Sequence, residues 1–271
     1  MSKVYVVGNF KGGVGKTKVG TMLAYESALH KKRKTLLIDL DPQGNATSIL
    51  AKTGNIDKIE ASITSGFKNG NLENEIVSVV ENLDLIPSNT SFRNLSKILL
   101  GLFPNDESKQ IFYLNELIQP LKKIYDAIYI DVPPTISDYS DNAMLAADYC
   151  IIVLQTQELS LDGAQTYIAY MQYLADTYNS ELDVLGLIPM MLRKGGRVDQ
   201  KVLDQAKDMY GSNVLNTIVK YQERLKVYDV EGISVSYNVN GKVDMWDSKA
   251  HQVFVDVLEE LDEHEVMLQN I

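Results

Sequence analysis

Residues 4–17 read VYVVGNFKGGVGKT, and this stretch decides the fold. Its first five residues are apolar and predict a buried strand, and the apolar pattern over residues 19–29 predicts a helix. A glycine-rich turn between a strand and a helix points successive backbone N–H groups at a bound anion, and the helix dipole favours the same charge. The stretch therefore predicts a polyphosphate site, in which Lys16 reaches the β- and γ-phosphates and the Thr17 hydroxyl binds Mg²⁺.

The loop departs from the general phosphate-binding pattern G-x-x-x-x-G-K-[ST] at one position. Phe10 replaces the first glycine of that pattern, and an additional lysine, Lys11, follows it. A chance GKT in a surface loop is the alternative, but strand, glycines, Lys-Thr and helix all occur in the expected order. We predict that the nucleotide is bound by a continuous run of residues: Lys11, Gly12, Gly13, Val14, Gly15, Lys16, Thr17 and Lys18.

Short apolar runs alternate with longer helical segments along most of the chain. Runs that are apolar on both faces predict strands of a parallel sheet covered by helices on both sides. The predicted strands are residues 4–8, 35–40, 83–86, 127–131, 150–154, 184–188 and 214–219. The predicted helices are residues 19–30, 110–123, 142–147, 161–178, 199–210 and 250–266. This alternation predicts an α/β fold with a doubly wound, mostly parallel sheet flanked by helices, the P-loop NTPase fold.

Two other predicted strands end in carboxylates. Asp131 follows an apolar run, where an acid can hold Mg²⁺ through a water molecule, although a cap or turn after the strand is the alternative. Asp39 and Asp41 stand two residues apart, which suits metal hydration and water activation. An Asx-type turn is the alternative for this pair, and both interpretations can hold together. Because the ligand of such a sheet lies beyond the carboxyl ends of its strands, all three acids are expected beside the glycine-rich loop.

The form KGGVGKT, with its early lysine, resembles the deviant Walker A motif of the ParA/MinD group of ATPases. The segment LLIDLDPQGNAT at residues 36–47 is similar to the second motif of ParA-type partition ATPases. Residues 82–89, NLDLIPSN, resemble their third strand, and residues 125–134, YDAIYIDVPP, resemble their Walker B segment. The similarity covers most of residues 3–160 and is looser beyond them.

This resemblance implies a role for each polar residue of the loop and the strand ends. It assigns the catalytic roles to Lys11, Lys16 and Asp41, of which Asp41 orients the attacking water. It assigns the metal shell to Thr17, Asp39 and Asp131. It further implies ATP and Mg²⁺ as cofactors and an ATP-dependent homodimer in which each Lys11 crosses to the partner's phosphates, as an arginine finger does. Slow hydrolysis, stimulated by a small centromere-binding (ParB-like) protein, would reset the dimer during plasmid or chromosome segregation.

The charge of the chain is unevenly distributed. The formal net charge of −10 argues against bulk attraction to nucleic acid or anionic lipid, but residues 193–226 hold eight Lys/Arg and only four Asp/Glu. Lysine and arginine contacts to phosphates supply sequence-independent, salt-sensitive affinity for DNA. The family's DNA-contacting residues lie in this region, with Arg197 and Arg224 at the best-matching positions. The predicted non-specific DNA contacts are Arg193, Lys194, Arg197, Lys201, Lys220, Arg224 and Lys226, and a solvated helix face is the alternative for each.

The composition along the chain predicts how the chain is organised. Residues 1–271 are predicted to form a single P-loop ATPase domain, since no long linker divides them. Residues 52–80 are rich in Gly, Asn and Ser and are predicted to form an excursion with short helices. Residues 251–271 contain six Asp/Glu and no Lys/Arg, and they are predicted to form an acidic C-terminal helix.

Other outputs of an ATP switch are less well supported by the sequence. MinD-like membrane cycling needs a basic amphipathic C-terminal helix, whereas this segment is acidic. Electron transfer or delivery of a metal cluster, as in relatives of the nitrogenase iron protein, needs cysteines at the dimer interface, and Cys150 is the only cysteine. A metabolic kinase or synthetase needs an acceptor-substrate site, for which we find no signature. No apolar run is long enough to span a membrane, and no signal peptide or N-terminal DNA-binding extension precedes the loop. We therefore expect a cytoplasmic, nucleoid-associated protein without a membrane partner.

Overall fold

The computed structural model describes residues 2–156, 158–191, 196–237 and 239–270. Within these ranges the strands are β1 (Lys3–Gly8), β2 (Thr35–Asp39), β3 (Val77–Val80), β4 (Leu83–Ile86), β5 (Ala127–Asp131), β6 (Tyr149–Gln155), β7 (Asp183–Met191) and β8 (Val219–Lys220). They form one eight-stranded sheet in the order β3-β4-β2-β5-β1-β6-β7-β8. Every neighbouring pair is parallel except the edge pair β3 and β4. The predicted mostly parallel, doubly wound sheet is confirmed.

The helices of the described residues cover both faces of this sheet. They are α1 (Lys16–Leu29), α2 (Asn45–Thr53), α3 (Ile63–Asn69), α4 (Leu95–Leu102), α5 (Glu107–Ile118), α6 (Asp138–Ala146), α7 (Glu158–Tyr178), α8 (Arg197–Tyr210), α9 (Glu223–Glu231) and α10 (Met245–Leu268). One core layer joins the sheet to α1, α2, α9 and α10. The other joins it to α3 through α8. Burial on both faces explains why the central strands read as continuous runs of Val, Ile and Leu.

Two strand predictions differ from the structure, both at the edges of the sheet. β3 was not predicted, because it is a short edge strand with a half-exposed pattern inside a polar segment. The predicted strand 214–219 is reduced to β8, with an isolated bridge from Val214 to Leu187 before it. Edge strands carry weaker apolar patterns than central ones, since only part of their surface is buried.

Part of the predicted excursion lies in the core of the protein. α3 buries Ile63 and Phe67 completely, and Leu72 is 1% exposed. The Phe67 ring lies 5.1 Å from that of Phe92 and 5.5 Å from that of Tyr113, whose hydroxyl donates a hydrogen bond to the Phe67 carbonyl at 2.9 Å. The Gly and Asn content that suggested an excursion serves turns instead, since Gly70 has φ 68° and ends α3.

The acidic C-terminal helix is present and packs on the body of the protein. Asp244 caps α10, and the apolar side of the helix packs against α1 and β7. Its Asp262 accepts two hydrogen bonds from the Arg33 guanidinium at 2.9 Å each, and its Glu265 accepts one from the Tyr5 hydroxyl at 2.9 Å. The acidic residues are thus partly used in holding the helix to the sheet. None of the helices in the described ranges is long and apolar enough to cross a membrane.

We expect Phe67→Ala to lower the free energy of unfolding by about 3–5 kcal/mol, because it empties a fully buried aromatic site. Urea denaturation measures this change. Lys68→Ala, at the exposed neighbouring position of the same helix, is the matched control and should leave stability nearly unchanged. A Phe67→Ala protein as stable as the wild type would mean that residues 63–69 do not contribute to the core.

Candidate nucleotide-binding site

The polar residues singled out from the sequence meet at one edge of the sheet. β1, β2 and β5 lie side by side, and the register pairs Asp131 with both Val7 and Asp39. A cavity of about 620 Å³ opens at this edge, in front of the glycine-rich loop. Its lining includes Gly13, Gly15, Lys16, Thr17, Lys18, Asp41, Gln43 and Asn45. The position is the one expected for a ligand of a doubly wound sheet.

The loop places backbone N–H groups around the mouth of this cavity. Gly13 and Gly15 have φ of 75° and 97°, left-handed values that glycine adopts without strain. Gly15 is also the N-cap of α1, and the first three residues of the helix line the cavity. The backbone N–H groups of a first helical turn have no partner within the helix and are available to a ligand. Val14 is 2% exposed and packs into the core, which fixes the turn from below. This arrangement is suited to binding phosphate.

Phe10 and its neighbours anchor the start of the loop to α7. The Phe10 ring lies 4.7 Å from the Tyr167 ring and 5.7 Å from the Tyr170 ring. Asn9 donates to the Val153 carbonyl at 2.9 Å, and its side-chain oxygen accepts the Lys11 N–H at 2.8 Å. The residue that breaks the general pattern is therefore an aromatic anchor beside Lys11. Sequence reasoning missed this role, because the partner rings lie about 160 residues away.

Lys16 is almost buried at the base of the loop. It is 7% exposed, and its Nζ donates to the Lys11 carbonyl at 3.2 Å. Burial lowers the pKa of the Lys16 ammonium, and the nearby carboxylates of Asp131 and Asp41 oppose that shift. A phosphate in the cavity would act in the same direction as these carboxylates, by favouring the charged ammonium.

Asp131 and Thr17 form an all-oxygen group beside Lys16. The Thr17 hydroxyl donates to Asp131 Oδ2 at 2.8 Å, whereas Asp131 Oδ1 is buried and has no hydrogen-bond partner in the described ranges. Burial raises the pKa of Asp131 well above its ordinary value, and the nearby Asp39 raises it further. Within the described residues, no three His, Cys, Asp or Glu side chains are placed so that they could hold a metal ion together. Mg²⁺ does not need one, since it is commonly held by one or two carboxylates together with substrate phosphates and water. The unpaired oxygen and the oxygen donors therefore fit Mg²⁺.

Asp39 and Asp41 differ in exposure and in what they contact. Asp39 is fully buried, and its carboxylate accepts hydrogen bonds from Asp41 N at 3.0 Å and from Thr47 N and Oγ1 at 2.9 and 2.8 Å. Burial raises the pKa of Asp39, and these hydrogen bonds oppose the shift. Asp41 is half-buried, lines the cavity and accepts the Gln43 N–H at 2.9 Å. The segment therefore forms an Asx-type turn, and the Asp41 of this turn lines the cavity.

Lys18 is the outermost member of the predicted nucleotide-binding run. Its Nζ forms an ion pair with Asp229 of α9 at 2.8 Å, and both residues line the cavity. The side chain therefore links α1 to α9 in addition to facing the phosphate region.

Most of the predicted DNA contacts that the structure describes are exposed. Arg197 and Lys201 lie one turn apart on α8, Lys220 lies on β8, and Lys226 lies on α9. Arg193 and Lys194 lie outside the described residues. The exposed residues are distributed over three elements and do not follow one helix face.

Arg224 differs from this expectation, because its guanidinium is used inside the protein. It forms an ion pair with Asp247 of α10, whose side chain is fully buried, through Nε and through Nη2 at 2.7 Å. It also donates to the Ser236 hydroxyl, and Tyr228 donates to the same Asp247. A buried carboxylate needs a paired cation. Sequence reasoning could not identify Asp247 as that partner, because nothing local to residue 224 distinguishes a surface arginine from a paired one.

The comparisons with known proteins agree with this geometry. A family described as an AAA domain matches residues 2–184. The chromosome-partitioning ATPase Soj of Treponema pallidum is 30% identical over 236 residues, which are 87% of this chain and 90% of that protein.

Two solved structures of 25% identity share the fold. A putative plasmid partition protein from Borrelia burgdorferi, bound to AMPPNP, covers 100% of both chains with a TM-score of 0.74. Cobyrinic acid a,c-diamide synthase from Mycobacterium smegmatis, with bound ADP and magnesium, covers 85% of this chain and 92% of its own with a TM-score of 0.73. Together with the cavity, the glycine-rich loop and the carboxylates behind it, these matches mean that the chain belongs to the family of ParA-type partition ATPases.

Proposed function

We propose that this protein is an ATP-driven partition switch, which dimerises and binds DNA without sequence specificity when ATP is bound, and is reset by hydrolysis. The observation that carries the proposal is that Lys16, Thr17 and Asp41 line one cavity, with Asp131 bonded to Thr17 and the Lys11 carbonyl bonded to Lys16. A loop that only bound phosphate would not need a second lysine at its start or a half-buried acid across the cavity.

The nucleotide is ATP, and its phosphates occupy the cavity in front of residues 11–18. Backbone N–H groups of the loop and the Lys16 ammonium bind the phosphate oxygens. Thr17 and Asp131 hold Mg²⁺, which supplies charge neutralisation on the phosphates when bound. Asp131 keeps a buried oxygen available for this purpose, and the raised pKa of its carboxyl is what binding of a cation would reverse.

Hydrolysis depends on Asp41, the acid that lines the cavity. Its carboxylate orients and accepts a proton from the attacking water, while Lys16 stabilises the charge on the transferred phosphoryl group. Asp41 is suited to this role because it is only half-buried and belongs to a short turn that is fixed to the fully buried Asp39.

Lys11 couples the nucleotide to a second copy of the chain. It lies at the start of the loop next to Gly12 and Gly13, which are exposed at the surface of the protein. In the dimer it crosses to the partner's phosphates and adds a second cation to the transferring group, so ATP favours the dimer and its hydrolysis releases it. The Phe10 anchor holds the loop rigid at the point where Lys11 leaves it.

The output of the switch is non-specific DNA binding, followed by release when a small centromere-binding (ParB-like) protein stimulates hydrolysis. The contacts come from the exposed Arg197, Lys201, Lys220 and Lys226, together with Arg193 and Lys194, which lie outside the described residues. Dimerisation doubles this basic surface. Because it also doubles the net charge of −10 per chain, binding to the nucleoid depends on these local basic residues and not on the charge of the whole molecule. MinD-like membrane attachment is not favoured, because the apolar side of the acidic α10 packs on α1 and β7.

Asp41→Ala should bind ATP with near wild-type affinity but hydrolyse it about 10²–10⁴-fold more slowly, since it removes the group that accepts the proton. Fluorescent-nucleotide titration and phosphate release measure the two effects. Lys16→Ala is the matched control, and it should lose ATP binding itself. Loss of ATP binding by Asp41→Ala would give Asp41 a structural role only, and tight binding by Lys16→Ala would refute the phosphate site.

Replacing both Arg197 and Lys201 with alanine should weaken ATP-dependent DNA binding and make its salt dependence shallower by about one unit of slope per lost phosphate contact. Gel-shift titrations over a range of salt concentrations, with and without ATP, measure the slope. Replacing Lys97 and Lys109 together with alanine, at exposed positions of α4 and α5 outside this basic stretch, controls for the loss of two positive charges. An unchanged slope in the double variant would locate the contacts elsewhere.

Arg224→Ala should lower the free energy of unfolding by about 3 kcal/mol, because it leaves the buried Asp247 without its cation. Burial favours a higher pKa for Asp247. Hydrogen bonds from Arg224, Tyr228 and Ser236 outweigh this effect and hold the pKa of Asp247 well below its ordinary value. The stabilisation by this pair is therefore present above the ordinary pKa of an Asp carboxyl, and it is lost as the pH falls through the pKa of Asp247 in the folded protein. The difference in free energy of unfolding between the wild type and Arg224→Ala should therefore shrink in acid.

Urea denaturation at neutral and acidic pH tests this prediction, with the exposed Lys226→Ala of the same helix as the control. The Arg224→Ala protein could instead be as stable as the wild type and bind DNA with a shallower salt dependence. That result would mean that Arg224 contacts DNA and does not stabilise the fold.

A further inference from the structure

Asp39 and Asp131 face each other across β2 and β5 but have opposite hydrogen-bonding states. Asp131 keeps one buried oxygen without a partner in the described ranges. Asp39 accepts three hydrogen bonds, one on Oδ1 and two on Oδ2, all from the segment that follows it. A carboxylate offers about four lone-pair positions, so Asp39 has about one left. It is therefore poorly placed to donate an oxygen to a metal ion.

Thr47 is fixed as a donor to Asp39 by its own neighbour. The Ser88 N–H at the end of β4 donates to Thr47 Oγ1 at 2.9 Å, and Thr47 Oγ1 lies 2.8 Å from Asp39 Oδ2. Because the hydroxyl oxygen already accepts a hydrogen bond from Ser88, its own hydrogen is directed to Asp39. This relay connects the ends of β2 and β4 through one side chain.

The same carboxylate supplies the cap that α2 lacks. Gly44, the N-cap of α2, has no side chain to accept a helical N–H, and Asp39 accepts the Thr47 N–H in its place. Gly44 itself has φ 65°, and a Cβ on it would lie 2.9 Å from the Ser88 carbonyl oxygen. Asp39 thus holds both ends of residues 41–47, the Asp41 N–H at one end and Thr47 at the other.

From these contacts we propose that Asp39 is a positioning residue, which acts with Thr47 to hold Asp41 in place, and that it is not a ligand of Mg²⁺. The protein-derived ligands are then Thr17 and Asp131. This inference rests on the proposed function, since it concerns how the hydrolytic acid of that site is oriented.

The test compares Thr47→Val, which removes the hydroxyl at nearly constant shape, with Thr47→Ser, which keeps it. Thr47→Val should lower kcat for ATP about 10- to 100-fold, the usual effect of removing an outer-shell partner. KM for ATP should stay at the wild-type value, because the phosphate-binding residues are untouched. The Mg²⁺ concentration that half-saturates binding of a fluorescent ATP analogue should also stay unchanged, and Thr47→Ser should restore kcat.

Asp39→Asn gives a second, independent readout if Thr47→Val does not fold, as judged by its thermal melt. We expect a lower kcat with an unchanged Mg²⁺ half-saturation. A rise of about tenfold or more in the Mg²⁺ requirement of either variant, measured by analogue binding, would make Asp39 a metal ligand and overturn the proposal. Wild-type kcat in Thr47→Val would overturn it as well. Failure of the wild-type protein to bind the analogue would instead refute the proposed function.

Discussion

The site depends on two carboxylates, Asp39 and Asp131, that are buried side by side at the carboxyl end of the sheet. Burial raises the pKa of both carboxyl groups, and the nearby Asp39 raises that of Asp131 further. Such an arrangement persists only where other groups compensate. For Asp39 the compensation comes from hydrogen bonds that the protein supplies. For Asp131 the compensation is incomplete, since one oxygen has no partner among the residues that the structure describes and burial lowers the pKa of the Lys16 ammonium. A bound nucleotide with its metal would complete it.

Some residues of the site hold its loop and its turn in place, and others face the cavity. The glycine-rich loop is held from below by the buried Val14 side chain. At its start it is held by the Phe10 ring, which packs against the rings of Tyr167 and Tyr170. The turn that bears Asp41 is held by Asp39 and Thr47. The groups that face the cavity are thereby fixed before any ligand arrives, which reduces the reorganisation that binding and catalysis would otherwise require.

A second polar network lies outside the cavity and links α1, α9 and α10. Arg224 and Tyr228 of α9 bind Asp247 of α10, and His251 of α10 contacts the buried Glu26 of α1. Burial opposes and Glu26 favours protonation of His251, with the net result that its pKa is raised. Because α1 begins at the glycine-rich loop, the network fixes α9, which carries Lys226, relative to the cavity. The arginine that resembles a DNA contact in sequence is a structural component of this connection.

The sequence alone determined the fold class and the phosphate site, because both rest on local patterns. Buried parallel strands are apolar on both faces, and the loop VYVVGNFKGGVGKT carries its glycines, lysine and threonine in consecutive order. The central strands and the carboxylates at their ends could be predicted for the same reason. Weakly patterned parts could not, which is why β3 and the packing of Phe67 into the core were missed. Only the tertiary structure decided which polar groups are already paired. The partners of Asp39, Arg224 and Phe10 are side chains or backbone groups that folding brings together, and pairing in a buried environment leaves no local signal in the sequence.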